Sequence, residues 1–300
     1  MNTNSILPLR LIVTTDCNGK CNFCHKEGAC SGHEMPLDLI VSCANIAKKM
    51  LVPVTITGGE PTLRKDLNEI IYRIYETAPN IKLGLTTNGL FLRDYSRIKT
   101  SLDMINLSII SFDDNIAQQY QKVKPQIALD GLKAFPATSK TLNVVVIKEN
   151  YLHINTFIDY CISNNYNLDL MFELKNFTKE ELDIQKHVLN ILEKIGIIKL
   201  ILKPSPVLEI SINRHIKIRV KHPRLSLIPK FDFCHGCVYN EECFERICSL
   251  RVYPDGQISP CLKKKIATTG NNDLENRIKE YYNMLIGNMS LLSFIADNPM

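Results

Sequence analysis

Three cysteines spaced Cys17-x3-Cys21-x2-Cys24 follow an apolar run near the start of the chain, and five more, Cys234, Cys237, Cys243, Cys248 and Cys261, crowd together near its end. Thiolates at such spacings hold iron–sulfur clusters or structural zinc. Three of them can ligate three irons of a four-iron cluster and leave the fourth open to another ligand. An open iron is a substrate-binding iron. A structural zinc or iron site is the plainer alternative for either group, and a Cys-x2-Cys knuckle suits zinc as well as iron. With eleven cysteines, an odd number, in 300 residues, metal ligation explains the chain better than disulfides do. Cys30, Cys43 and Cys161 fit no motif. Cys43 and Cys161 fall on helical stretches and read as small buried apolar residues, whereas Cys30 lies nearer the first cysteine loop.

The elements that must position these residues show in the periodicity. Short apolar runs at Leu11–Thr14, Val54–Thr57, Lys82–Thr86, Met104–Ile109, Asn143–Ile147 and Leu168–Phe172 alternate with helical patterns at Leu37–Met50, Leu67–Glu76, Ile116–Gln121, Leu152–Ser163 and Lys179–Ile195. Asp66 reads as a helix N-cap. Strands buried on both faces and alternating with helices demand a parallel sheet with right-handed crossovers. The expected fold is therefore α/β, a partial (β/α)6 TIM-type barrel over residues 1–205. Its chemistry belongs at the C-terminal ends of the strands, where the first cysteine loop falls. Beyond Pro204 the period shortens to two. Glu209–Val220 reads as a hairpin around Asn213-Arg214, and Leu250–Tyr253 with Gln257–Ser259 as another around Asp255-Gly256. A small cysteine-rich β-hairpin domain is expected over 206–265, then a C-terminal helical tail over 266–300.

Composition narrows the function classes. The net charge of +5 is modest and spread along the chain, which makes nucleic acid an unlikely partner. No apolar run approaches the length of a membrane span, and the first cysteine lies only sixteen residues in, so a cytoplasmic protein is expected. One basic strand, His215, Lys217, Arg219 and Lys221, alternates its charges onto one face. It keeps open a different class of function, a zinc- or cluster-bearing module that binds nucleic acid or protein. A solvated hairpin edge is the plainer account of that strand.

Further motifs stand at the ends of successive strands: Thr57-Gly58-Gly59-Glu60-Pro61 after the second, Thr86-Thr87-Asn88-Gly89 after the third, and Ser108 at the fourth. With the cysteine triplet, they make residues 9–205 resemble the radical S-adenosylmethionine superfamily. The resemblance implies a catalytic four-iron cluster on Cys17, Cys21 and Cys24, with an open iron that chelates the amino and carboxylate groups of S-adenosylmethionine. One electron from the cluster then breaks the sulfonium bond and gives a 5′-deoxyadenosyl radical. It places Gly58, Gly59, Glu60 and Pro61 at the methionyl amino group, Thr86, Asn88 and Ser108 near ribose and carboxylate, and Phe23 near adenine. An electron donor such as flavodoxin or ferredoxin is also implied.

The later cysteines resemble the superfamily's SPASM/twitch appendage, which implies a second, auxiliary four-iron cluster on Cys234, Cys237, Cys243 and Cys261, with Cys248 the alternative fourth ligand. Within the superfamily, the segments Leu9–Leu11, Ile56–Asp66, Gly84–Leu90, Ile105–Ser108, Asn143–Lys148 and Arg251–Leu262 resemble the GTP 3′,8-cyclase branch. That likeness implies substrate contacts at Arg10, Thr86, Lys148 and Arg251. The chain departs from the branch where Thr55 replaces a nucleotide-binding arginine and Ser249 replaces a partner of Arg251. A triphosphate site without those cations is weak, because bidentate arginine contacts supply much of phosphate recognition. The expected function is hydrogen abstraction from another small molecule by a cyclase-like homologue. The alternative is a twitch-type peptide-modifying maturase.

Overall fold

A computed structural model describes residues 7–24, 32–95, 102–172, 178–201, 207–212, 216–221, 249–261 and 267–297. Cys30, Cys234, Cys237, Cys243, Cys248 and His215, named above, lie outside them.

Six strands alternate with helices as the periodicity predicts: β1 Leu9–Thr14, β2 Val54–Gly58, β3 Leu83–Thr87, β4 Leu102–Ser108, β5 Ala137–Val146 and β6 Asn167–Phe172, paired parallel in chain order. Leu11, Ile56, Leu85, Ile105, Leu142 and Leu168 are fully buried, as the interior of such a sheet requires. The helices are α1 Leu37–Met50, α2 Leu67–Thr77, α3 Asp114–Tyr120, α4 Pro125–Ala134, α5 Ile154–Asn164, α6 Lys179–Ile195 and α7 Asn271–Asp297. A capping box between Thr178 and Glu181 starts α6. The sequence reading missed α4. Pro125 looks like a breaker but sits at the first turn, where its missing N–H costs nothing, and Gly131 is small because Leu92 and Arg93 crowd it.

Asp66 occupies the N-cap of α2 without capping it. Its carboxylate instead takes two bonds from Arg64, Nε to Oδ1 at 2.8 Å and Nη2 to Oδ2 at 2.6 Å. Arg64 is only 4% exposed and also donates to the carbonyls of Val13 and Met35, so the pair ties the start of α2 to the end of β1.

Both late hairpins exist, but they extend the main sheet. β7 Lys199–Ile201, β8 Val207–Ser211 and β9 Lys217–Lys221 form an antiparallel run whose last strand lies parallel to β6. β10 Leu250–Val252 pairs antiparallel with β11 Ile258–Ser259 across a turn in which Gly256 has φ of 79°. β10 also pairs parallel with β1 at the other end of the sheet. The result is a mixed α/β fold on an eleven-stranded, mainly parallel sheet in the order β11-β10-β1-β2-β3-β4-β5-β6-β9-β8-β7. Such an unclosed sheet is consistent with a partial barrel. Among the described residues, no helix is long and apolar enough to cross a membrane.

Candidate functional site

Parallel strands put the loops that follow them on one edge, and four such loops meet here. Cys17, Cys21 and Cys24 follow β1, with Cys17 and Cys21 half-buried and Cys24 exposed. Burial pushes the Cys21 thiol up to about 12, and the neighbouring Cys24 and Cys17 push it the same way, as does Glu60. Cys17 and Cys24 therefore both lie near Cys21. Among the described residues, no three Cys, His, Asp or Glu side chains converge on a single metal ion. A structural zinc requires four ligands around one point, whereas a four-iron cluster requires each thiolate to reach its own iron. The loop's donor set, three thiols and no fourth ligand from a neighbouring element among the described residues, has the chemistry of the second. A metal there would displace the protons that burial favours.

The glycines after β2 serve the backbone. A Cβ on Gly58 would stand 2.3 Å from the Thr14 carbonyl oxygen, and one on Gly59 would stand 2.0 Å from that of Asp16. That closeness lets the Gly59 and Glu60 N–H groups donate to the Thr14 and Asp16 carbonyls at 2.8 and 2.7 Å. The Gly58-Gly59 turn thus clamps the strand end that leads directly into Cys17.

Glu60 is held by its neighbours. It is 1% exposed; its Oε1 accepts from Thr62 N, Thr62 Oγ1 and Thr87 Oγ1, and its Oε2 from Asn88 N, at 2.6–3.0 Å. Three of these donors crowd Oε1, whereas Oε2 takes one and keeps a further acceptor site. Burial raises its pKa and these bonds pull it back. Asn88, 7% exposed, passes the connection on: its Nδ2 donates to Asn18 Oδ1 at 2.7 Å, inside the cysteine loop. In this structure, Glu60 and Asn88 join β2 and β3 to the loop. Pro61 is buried and opens the short helical turn after Glu60.

Phe23 packs against Ile110, Ala117 and Ile147, so it bridges the cysteine loop to the ends of β4 and β5. Thr86 and Ser108 are partly exposed at the ends of β3 and β4. Arg10 and Arg251 are register partners on β1 and β10 and so share one face of the sheet. Arg10 Nη2 donates to Thr57 Oγ1 at 3.1 Å, and Arg251 Nη1 donates to the Ser249 carbonyl at 3.3 Å. Lys148 does not join them. It lies beyond β5, exposed and 2.6 Å from Glu180 Oε1. Cys261 is half-buried just after β11. Of the basic strand, Lys217 pairs with Glu209 at 3.0 Å and Arg219 with Asp169 at 2.6 Å, so these cations meet carboxylates and not phosphates. Cys43 and Cys161 are fully buried apolar neighbours, as expected.

Sequence reasoning missed three polar residues near the loop. Asn18 meets Asn88, as described. Asn150, fully buried, accepts from the Ile147 N–H and donates to the Ile110 and Val145 carbonyls, which fixes the end of β5 against that of β4. Gln121, at the end of α3, holds the end of β4. Each reads as an ordinary polar residue in a turn, without a local signal.

The family model for the radical SAM superfamily matches residues 11–161. A probable GTP 3′,8-cyclase of Thermoplasma volcanium is 35% identical over 152 residues, 48% of this chain and 46% of that relative. The chain thus spans about half the length of this curated relative. One of Methanocella arvoryzae is 28% identical over 289 residues, 90% of this chain and 87% of the relative. Among solved structures, SuiB of Streptococcus suis bound to its precursor peptide SuiA matches with a TM-score of 0.62 at 18% identity, covering 90% of this chain and 64% of that one, a likeness of fold.

Proposed function

Because the chain belongs to the radical SAM superfamily, and is therefore an S-adenosylmethionine-dependent radical enzyme, we propose that Cys17, Cys21 and Cys24 carry its catalytic four-iron cluster and that it abstracts hydrogen from a small molecule. The observation that carries this reading is the placement of three thiols on one loop that is clamped by Gly58-Gly59 and tied to Asn88. Bound there, a reduced cluster supplies the electron that splits S-adenosylmethionine into methionine and a 5′-deoxyadenosyl radical. The protein's own part is orientation. Thr86 and Ser108, partly exposed at neighbouring strand ends, would meet ribose and carboxylate, and Phe23, packed against Ile110, Ala117 and Ile147, would meet adenine. Glu60 and Asn88 hold the loops on which these contacts depend.

Arg10 and Arg251, register partners on β1 and β10, put two arginines on one face of the sheet, which supports an anionic group on the substrate. Thr55 stands beside Arg10 with no charge to add, and Lys148 is engaged elsewhere, so the site is poorer in cations than GTP would ask. We therefore read the chain as a homologue of the cyclases with another substrate. The likeness to SuiB, a protein bound to a precursor peptide, supports peptides as the second class to test. A second four-iron cluster on Cys234, Cys237, Cys243 and Cys261 completes the proposal, with a flavodoxin or ferredoxin as electron donor.

The test is anaerobic reconstitution of the full chain and of a Cys17, Cys21 and Cys24 triple alanine variant. The parent should form 5′-deoxyadenosine from S-adenosylmethionine and dithionite, and the variant should carry about four fewer irons and form none. Cleavage that survives the triple change overturns the assignment. GTP and a peptide library supplied to the parent then separate the substrate classes by the products formed.

A further inference from the structure

Gln121 is 2% exposed and makes bonds in two directions. Its side chain spans the end of β4: Nε2 donates to the Ser108 carbonyl at 2.7 Å, and Oε1 accepts from the Ile110 N–H at 3.1 Å. Its backbone faces the cysteine loop. The Gln121 carbonyl accepts from the Lys20 N–H, and that of Tyr120, the last residue of α3, accepts from the Asn22 N–H, both at 3.2 Å. Lys20 and Asn22 flank Cys21. A Cβ on Gly19 would stand 3.3 Å from the Gln121 oxygen, so the loop is pressed against the helix end.

We propose that Gln121 is a positioning residue that locks the end of α3 to β4 so that its last carbonyls hold the N–H groups of Lys20 and Asn22 away from the sulfur ligands, keeping the cluster's reduction potential low. This deepens the reading that Cys17, Cys21 and Cys24 hold a cluster. Reduction adds negative charge to the iron and sulfur, and N–H donors pointed at the sulfurs stabilise that charge and raise the potential. One loop donor already faces sulfur, the Gly19 N–H at 3.3 Å from Cys17 Sγ. The carbonyls at the end of α3 engage two others. A low potential is what reductive cleavage of a sulfonium requires of its electron source.

The experiment is a reductive titration of the anaerobically reconstituted full chain. It follows the electron paramagnetic resonance signal that changes when S-adenosylmethionine is added, in the parent and in Gln121→Met. Methionine keeps the length and removes both side-chain bonds, which should release α3 and free the two donors. The expected result is a midpoint potential raised by the equivalent of about a tenfold change in the reduction equilibrium, ~59 mV for a one-electron couple, with iron content retained. An unchanged or lowered potential in folded, iron-replete variant overturns the proposal. Should Gln121→Met fail to fold, Gln121→Asn decides on the same terms, since its amide stays polar and is one methylene too short to span the Ser108 carbonyl and the Ile110 N–H. A parent that binds no cluster while folded refutes the underlying assignment and this proposal together, a result distinct from an unmoved potential.

Discussion

The backbone N–H of Asn88, after β3, donates to Glu60 Oε2, after β2, at 2.6 Å, so two neighbouring active-edge loops share one buried carboxylate. Glu60→Gln would turn an amide N–H2 towards the N–H of either Asn88 or Thr62, neither of which can accept. The expected loss is about 1–3 kcal/mol of stability, the usual cost of an unsatisfied buried group, read by denaturant unfolding. Affinity for S-adenosylmethionine should fall with it as the loops drift. A large affinity loss at unchanged stability would instead make Glu60 a direct ligand contact.

Gly59→Ala should be among the most damaging single changes in the chain. The new methyl would overlap the Asp16 carbonyl, next to Cys17, and backbone cannot yield cheaply there. Overpacking of this kind costs about 1–3 kcal/mol or more, and iron retention after reconstitution should drop. Gly84→Ala is the control, because its nearest neighbours stand at an ordinary 3.5 Å. Equal behaviour of the two variants would remove the clamp from the account.

Asp66 gives a pH signature. Its bonds from Arg64 hold the carboxyl below the usual range. A depressed native pKa means that the unfolded chain binds the proton more readily, so the stabilisation is complete above the ordinary carboxylate pKa and is lost as pH falls through the lowered one. Asp66→Asn should therefore cost about 1 kcal/mol at neutral pH, a figure kept small because the carboxylate is nearly half exposed. The gap to the parent should close in acid. A gap that is constant down to strongly acid pH would mean that the ion pair contributes nothing.

For the proposed second cluster, Cys248→Ala should leave its paramagnetic signal unaltered, and Cys243→Ala should change it by opening one iron. The reverse pattern would make Cys248 the fourth ligand. If neither variant changes the signal, the cluster has three cysteine ligands and an iron open to substrate.

The parallel strands were legible because β-branched runs buried on both faces leave a continuous apolar trace, as in Leu11–Thr14 and Val54–Thr57. The cysteine loop was legible because its three thiols lie within eight residues of sequence. What depends on orientation was not. Glu60 stands where its motif puts it, yet nothing in Gly-Gly-Glu-Pro says that Thr62, Thr87 and Asn88 will surround its carboxylate. The Asp255-Gly256 turn foretold a hairpin, but the period of two does not say which sheet edge receives it, and β10 joins β1. Gln121 and Asn150 act through backbone groups distant in sequence, which leave no pattern to read.

The pairing of β10 with β1 also sets an order of events. Leu9 finds its partner on that side only in Leu250, and Tyr282 on α7 donates to the Leu7 carbonyl across 275 positions of sequence. Until the last part of the chain has been synthesised, the strand that carries the cysteine loop has a bare flank, which is an invitation to wrong pairing. Contacts so far apart also slow folding, since the loop they close must be ordered before they reward it. A fragment ending near residue 205 would keep Cys17, Cys21 and Cys24 and still leave their strand open to aggregation, so the ribosome must finish the chain before the loop after β1 has a settled home.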